Sequence, residues 1–248
     1  MNDVRIGAPV GRIVGLWRYP VKSMAGEPLT EAPVGWHGIT GDRRWAFVRE
    51  GVVQSGFPWL TLRDRADLSN YRPRLLEPAR ADTSPTRVQT PSGATFDVAD
   101  AALAAELAPG GARVIRQDRG VFDTFALSLI TTQTIAELAE WVATPLDVQR
   151  FRPNFLVEAT GDAFAEDAWV GRVLRVGSLR MRVDKRDGRC VVITIDPVTG
   201  ERNPAILRTV ASERQGCLGV YGTTAEPGRV ALNDEVFIEP STLSLQRQ

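Results

Sequence analysis

The chain has 248 residues and a mass of 27.2 kDa, with 43% hydrophobic and 24% charged residues, enough to bury one large core or two smaller ones. Lys and Arg number 30 and Asp and Glu number 30, so no broad basic field draws the protein to nucleic acid or to an anionic membrane. Two cysteines and one histidine exclude a Cys-rich zinc module and a four-Cys iron–sulfur cluster within the chain.

No stretch approaches the ~20 apolar residues of a membrane span. Residues 1–5 lack a basic segment followed by an apolar one, so the expected compartment is the cytoplasm. Residues 11–18 are predicted as a strand on Ile13, Val14, Leu16 and Trp17, and Pro20 ends it or keeps it on an edge. Lys22-Ser23-Met24-Ala25-Gly26 reads as a loop. Residues 28–34 form a second strand, closed by Gly35-Trp36-His37-Gly38. Residues 42–48 begin polar and become apolar, a third strand with Arg43 and Arg44 at its mouth, and residues 51–54 suggest its hairpin return.

Weaker strands fall at 68–76, 87–90 and 95–98, with a Pro- and Gly-bearing turn region over 79–93. An Ala-rich helix over 97–108 is closed by Pro109-Gly110-Gly111, and residues 112–117 form a strand. Ile135, Leu138, Trp141 and Val142 have helical spacing, and a threonine of the 131–132 pair caps that helix. Arg152-Pro153-Asn154 introduces a strand over 155–157, and residues 161–169 read as an acidic loop. Residues 173–176 and 179–183 pair as a hairpin through Gly177-Ser178. Asn203 caps and Pro204 opens a helix to about 212, and the end of the chain is β again over 218–221 and 229–238, split by Pro227-Gly228. Short strands with turn signals between them favour barrels or sandwiches over an alternating βαβ fold. The fold class is therefore mainly β (α+β), with about three helices.

Chemistry concentrates at Gly188-Arg189-Cys190. The following run, Val191-Val192-Ile193-Thr194-Ile195, is rich in β-branched residues and reads as a buried strand, ended by Asp196-Pro197-Val198-Thr199-Gly200. That places Cys190 where a loop feeds a strand. Arg186 and Arg189 beside it favour a thiolate, which is a soft metal ligand; the other reading is a small apolar side chain packed near a strand end. Lys22-Ser23, Arg43-Arg44, Arg152-Pro153-Asn154 and Arg189 all sit at strand ends. A lysine point charge, an arginine fork and a short serine donor suit a phosphate monoester, where the alternative is a set of solvated cations. Lys22 and Lys185 are the only lysines in an arginine-biased chain. No P-loop or dinucleotide fingerprint is present. His37 leaves a Cys–His pair with Cys190 open, and Asp162, Glu166 and Asp167 read as a solvated acidic run rather than a hard-metal site.

Taken together, Val10 to Phe47 with Tyr19-Pro20-Val21-Lys22-Ser23 and Gly41-Asp42-Arg43-Arg44-Trp45 resembles the N-terminal β-barrel domain that precedes MOSC domains. Asp123-Thr124, Phe151-Arg152-Pro153-Asn154, Ala165-Glu166-Asp167-Ala168-Trp169, Arg189-Cys190, Asp196-Pro197-Val198-Thr199-Gly200 and Gly219-Val220-Tyr221 resemble a MOSC domain. The resemblance implies two β-barrel-like domains of the pyruvate-kinase-type barrel fold, residues 8–118 and 119–240. It implies a molybdenum–molybdopterin cofactor with Cys190 as the metal-ligating thiolate. It implies that Lys22, Ser23 and Arg43 hold the pterin phosphate, that Thr124, Arg152 and Asn154 line the cleft, and that Arg189 and Tyr221 lie near the metal. Pyridoxal phosphate binding is a further family-level expectation.

The amidoxime-reducing relatives, mitochondrial and bacterial, imply reduction of small N-hydroxylated substrates. Their example implies electrons from a separate protein: a ferredoxin, a flavodoxin, or a cytochrome b5-like protein with its reductase. The alternative is a non-redox sulfur carrier or cofactor-delivery protein holding a persulfide on Cys190. Cys217 matches no family cysteine and reads as structural.

Overall fold

Apolar alternation along short strands closes into a barrel. The computed structural model describes residues 7–51 and 57–240. Among these, seven strands form a closed ring in the order Phe155–Ala159, Leu127–Thr131, Cys217–Glu226, Leu179–Gly188, Val173–Val176, Glu235–Ile238 and Gly11–Arg18, the last pairing back with the first. Neighbours are antiparallel except for Leu127–Thr131 and Phe155–Ala159. A parallel pair needs a crossover, and a helix supplies it here. Inward positions recur every second residue: Leu179, Met181 and Val183 face Leu127, Leu129, Val157, Val220 and Val236 in one buried cluster. Each such side chain contributes roughly 1.5–3 kcal/mol by leaving water.

A second, smaller assembly packs against the barrel. It comprises the pair Trp45–Arg49 with Ala112–Arg116 and the meander Arg72–Leu75, Thr86–Gln89 and Thr95–Asp97. Its core holds Val21, Met24, Phe47, Leu68, Val88 and Leu103, and also Ile195 from far along the chain.

Three helices complete the described residues: α1 (Ala101–Leu107), α2 (Thr132–Trp141) and α3 (Pro204–Arg214). Each is capped by a side-chain oxygen, from Asp100, Thr131 and Asn203 respectively. α1 is shorter than the composition suggests, because Asp97 ends a strand and Asp100 takes the cap.

Several expectations are corrected. Residues 191–195 do not form a strand; Val191–Thr194 is a single 3-10 turn with Cys190 before it in extended conformation. Instead Ile193 enters the cluster of Ile130, Phe151 and Ile206, while Ile195 enters the core of the smaller assembly. The β-branched residues report burial rather than pairing. The strand over 28–34 is split into Glu27–Pro28 and Glu31–Gly35, and 68–76 opens with a 3-10 turn before Arg72–Leu75. The acidic stretch 161–169 is solvated only in part: Asp162 is exposed, whereas Glu166 is fully buried and accepts hydrogen bonds from the Thr131 and Thr134 hydroxyls at 3.0 and 2.9 Å. The hairpin return expected at 51–54 lies mostly outside the described residues.

Candidate functional site

The ten-residue strand Leu179–Gly188 rises to the barrel rim with register shifts near its end, and such bulges re-aim side chains beside sites. Cys190 follows at the rim, half-buried and with a free thiol. Its sulfur accepts a hydrogen bond from Arg63 Nη2 at 3.3 Å. Arg63 also reaches Asp123 Oδ2 at 3.5 Å. Burial weakens the Arg63 cation, but Cys190 and Asp123 more than offset this and hold the guanidinium protonated.

All nine residues singled out from the sequence line one cavity with Cys190: Lys22, Ser23, Arg43, Thr124, Arg152, Asn154, Arg189, Tyr221 and Cys190 itself. The lining draws on both the smaller assembly and the barrel. Six cationic side chains face two carboxylates, Asp123 and Asp187, around it. Ser23, Arg43 and Arg152 all take positive φ, 67°, 49° and 51°, a conformation non-glycine residues adopt at a cost and mainly where a site demands it.

The cations are not equivalent. Lys22 donates to Val121 O at 3.1 Å and pairs with Asp123; burial lowers its pKa, with Asp123 opposing. Arg43 pairs with the buried Asp42 and lies 4.6 Å from the Tyr19 ring centroid. Arg44 turns away to Asp82 at 2.5 Å and does not line the cavity. Arg189 is a girder: it donates to Leu218 O at 2.7 Å and Phe151 O at 2.9 Å and pairs with Asp187 at 2.9 Å. Arg152 has no ion pair among the described residues. Its guanidinium lies 4.4 Å from the Tyr19 ring centroid, and its Nη2 is buried without a hydrogen-bond partner. Burial, reinforced by the neighbouring Arg43, lowers the Arg152 pKa to about 10.

Asn154 spends every polar atom on the fold. Its Oδ1 accepts from Ser128 N at 3.2 Å and Ser128 Oγ at 3.3 Å, and its Nδ2 donates to Trp17 O at 3.2 Å and Asp42 Oδ2 at 3.1 Å. It therefore positions Asp42, and through it Arg43. Tyr221 packs 6.1 Å from the Phe125 ring, and burial and Asp187 both push its phenol pKa up.

Among the charged lining residues, sequence reasoning missed Arg63, Arg150 and Asp187. Arg63 sits in Arg63-Asp64-Arg65, which looks like any solvated charge run. Asp187 is 1% exposed, with Oδ1 unpartnered, and burial raises its pKa to about 6 against the pull of Arg189, the Tyr221 hydroxyl, Arg43 and Lys185. No local signal marks Asp187: the alternation that buries Leu179, Met181 and Val183 breaks at the exposed Lys185, where the register shifts. Arg186, expected beside the thiol, instead pairs with Asp167 at 3.1 Å and donates to Arg214 O at 2.8 Å. His37 is exposed and does not line the cavity, so the Cys–His pair is not formed.

A rim cysteine, a cation-rich cleft and a closed seven-strand barrel define the class: the chain belongs to the MOSC family. Residues 10–149 match the MOSC N-terminal beta barrel domain and residues 116–237 match the MOSC domain. The chain is 25% identical to mitochondrial amidoxime-reducing component 1 of Homo sapiens, over 94% of this chain and 85% of the human protein. It is 27% identical to the molybdenum cofactor sulfurase of Drosophila mojavensis over 85% of this chain, and it spans only 31% of that protein's length. The YUAD protein from Bacillus subtilis shares the fold, with a TM-score of 0.53 at 12% identity over 94% of this chain and 97% of that one. No helix among the described residues is long and apolar enough to cross a membrane.

Proposed function

We propose that this cavity binds a molybdenum–pterin cofactor, with Cys190 as the protein's ligand to the metal, and that the protein reduces N-hydroxylated compounds. The observation that carries the reading is Arg152, beside a half-buried thiol: the other five cations of the lining pair with Asp42, Asp123, Asp187 or Asp196, and Arg152 has no ion pair among the described residues. An unpaired guanidinium held out of water is expensive, so the cavity is built for an anion. Among the described residues no group of three His, Cys, Asp or Glu side chains could hold a bare metal ion. A metal at Cys190 would take its further ligands from the organic part of the cofactor.

The residues divide the work. Lys22 and Arg43 already carry Asp123 and Asp42, so the phosphate charge falls chiefly on Arg152, with Lys22, Ser23 and Arg43 adding donors. Thr124 and Tyr221 line the wall, and Arg189 and Asn154 fix its shape. Arg63 holds the Cys190 sulfur. When bound, the cofactor supplies a redox-active centre open to an oxygen donor. Breaking the N–O bond of R–NH–OH consumes two electrons and two protons and releases water. Asp187, buried with a free Oδ1, holds one of those protons at the cavity wall. The electrons come from a separate protein: a ferredoxin, a flavodoxin, or a cytochrome b5-like protein with its reductase.

A sulfur carrier needs the thiol and Arg63 but has no use for the phosphate-binding cations, which is why the redox reading stands first. The test is pterin occupancy after native purification of Arg152→Ala combined with Arg43→Ala. The proposal expects occupancy to fall at least tenfold; unchanged occupancy refutes the phosphate assignment.

A further inference from the structure

Residues 119–126 carry Phe122, Asp123, Thr124 and Phe125 of the Cys190 cavity's lining, and three exposed side chains with no role in the cavity stand along this segment. Trp36 is at the tip of the hairpin that joins Glu31–Gly35 to Gly38–Ile39. It is 65% exposed, more than any other aromatic side chain among the described residues, and so leaves roughly 150 Å² in water. The tip is held against the segment. Thr224 Oγ1 donates to Gly35 O at 2.8 Å, and Gly38, at φ 89°, lies so close to Ala126 that an added Cβ would meet the Ala126 Cβ at 3.0 Å. Ala126 follows Phe125, whose ring packs 6.1 Å from that of Tyr221, so the tip stands just outside the aromatic wall of the cavity.

Lys185 is exposed, and its Nζ lies 5.5 Å from the Phe125 ring centroid. Arg119 is exposed at the other end of the segment, one residue before Gly120, which packs on the Phe122 ring. Neither cation has an ion pair among the described residues. The carboxylates nearby are taken: Asp123 by Lys22 and Arg63, Asp118 by Arg116, and Asp184 by Arg182. The rim is therefore locally positive in a chain whose charges balance overall.

We infer that this rim is a docking surface for the electron donor, and that the donor is a small protein with an acidic face. Single exposed apolar residues need no explanation, but a pinned tryptophan flanked by uncommitted cations beside a cavity has the make-up of a recognition patch. Trp36 supplies the anchor, and Arg119 and Lys185 steer the acidic partner. A donor seated there is separated from the cavity by little more than the Phe125 and Tyr221 rings. The inference rests on the reading of the Cys190 cavity as a redox centre supplied from outside, and it names the face and the charge of the supplier.

Calorimetric titration of the cofactor-free full chain with an acidic plant-type [2Fe–2S] ferredoxin tests the surface without the metal, and basic cytochrome c is the control. Ferredoxin is expected to bind and to weaken at least tenfold between about 20 and 300 mM salt, while cytochrome c does not bind. Arg119→Glu combined with Lys185→Glu weakens ferredoxin at least tenfold, and Trp36→Ala weakens it several-fold; all three positions are exposed. No ferredoxin binding, cytochrome c binding as tightly, or ferredoxin binding indifferent to these substitutions overturns the assignment. In the cofactor-loaded protein, Trp36→Ala and Arg119→Glu lower benzamidoxime turnover driven by reduced ferredoxin several-fold. Turnover driven by reduced methyl viologen, which needs no docking, is unchanged; an equal loss with both reductants also overturns it. If the chain carries no molybdenum, the reading of the Cys190 cavity fails while the titration of the cofactor-free chain still decides the docking surface.

Discussion

Arg152 stores a cost that its ligand relieves, and the size of that cost follows from the structure. Its pKa is lowered from the ordinary 12.5 to about 10, first by burial and then by Arg43. A drop of that size corresponds to roughly 3 kcal/mol of destabilisation of the cation. Stacking on Tyr19 returns about 1 kcal/mol. Arg152→Gln, which keeps the volume and some hydrogen-bonding capacity, should therefore stabilise the ligand-free protein by about 2 kcal/mol. In a chain of this size that raises Tm by roughly 4–8 °C. The assay is thermal unfolding in phosphate-free buffer and again in tens of millimolar phosphate. The parent protein should gain stability with phosphate, and the variant should gain little. A variant less stable than the parent without phosphate would show that Arg152 is a structural contact rather than a waiting anion receptor, and the argument from its missing counterion would fall.

Asp187 makes stability depend on pH. Its folded-state pKa is raised from 3.8 to about 6, so the unfolded chain releases the proton first, and the stability present below pH ~4 is lost as pH rises through about 6. Against Asp187→Asn, the parent should lose about 3 kcal/mol between pH 4 and pH 7 in denaturant titrations; parallel profiles would deny the buried carboxylate its raised pKa. The same group as proton carrier predicts that turnover falls as pH rises above about 6, and a flat profile would remove it from that role. Asn154→Ala breaks four hydrogen bonds and frees the buried Asp42, so it should cost about 2–4 kcal/mol in chemical denaturation; a loss below about 1 kcal/mol would show that the network is not what holds Arg43.

What the sequence reveals here follows a physical division. Period-two apolar runs with turn residues between them expose the barrel, and cap residues such as Thr131 and Asn203 locate helix starts, because both signals are local. Proximity across the cavity is not local. Lys22 lies 130 positions from Arg152 and 168 from Cys190, and only the family resemblance connects them before the fold does. The apolar run after Cys190 misleads because β-branched residues signal burial equally well in a strand and in a turn wedged between two cores. Arg63 is invisible because its partners, Cys190 and Asp123, lie 127 and 60 residues away. Which cations remain uncommitted is equally unreadable: Lys22, Arg43 and Arg152 look alike as letters, and only their partners Asp123 and Asp42 separate them.

The account turns on whether a metal-bearing pterin sits against the thiol at the barrel rim. Elemental and pterin analysis of the natively purified protein decides this. Molybdenum and pterin at near-equal stoichiometry to the chain, both lost in Cys190→Ser, is the predicted result. A persulfide on Cys190 with no molybdenum and no pterin would contradict it.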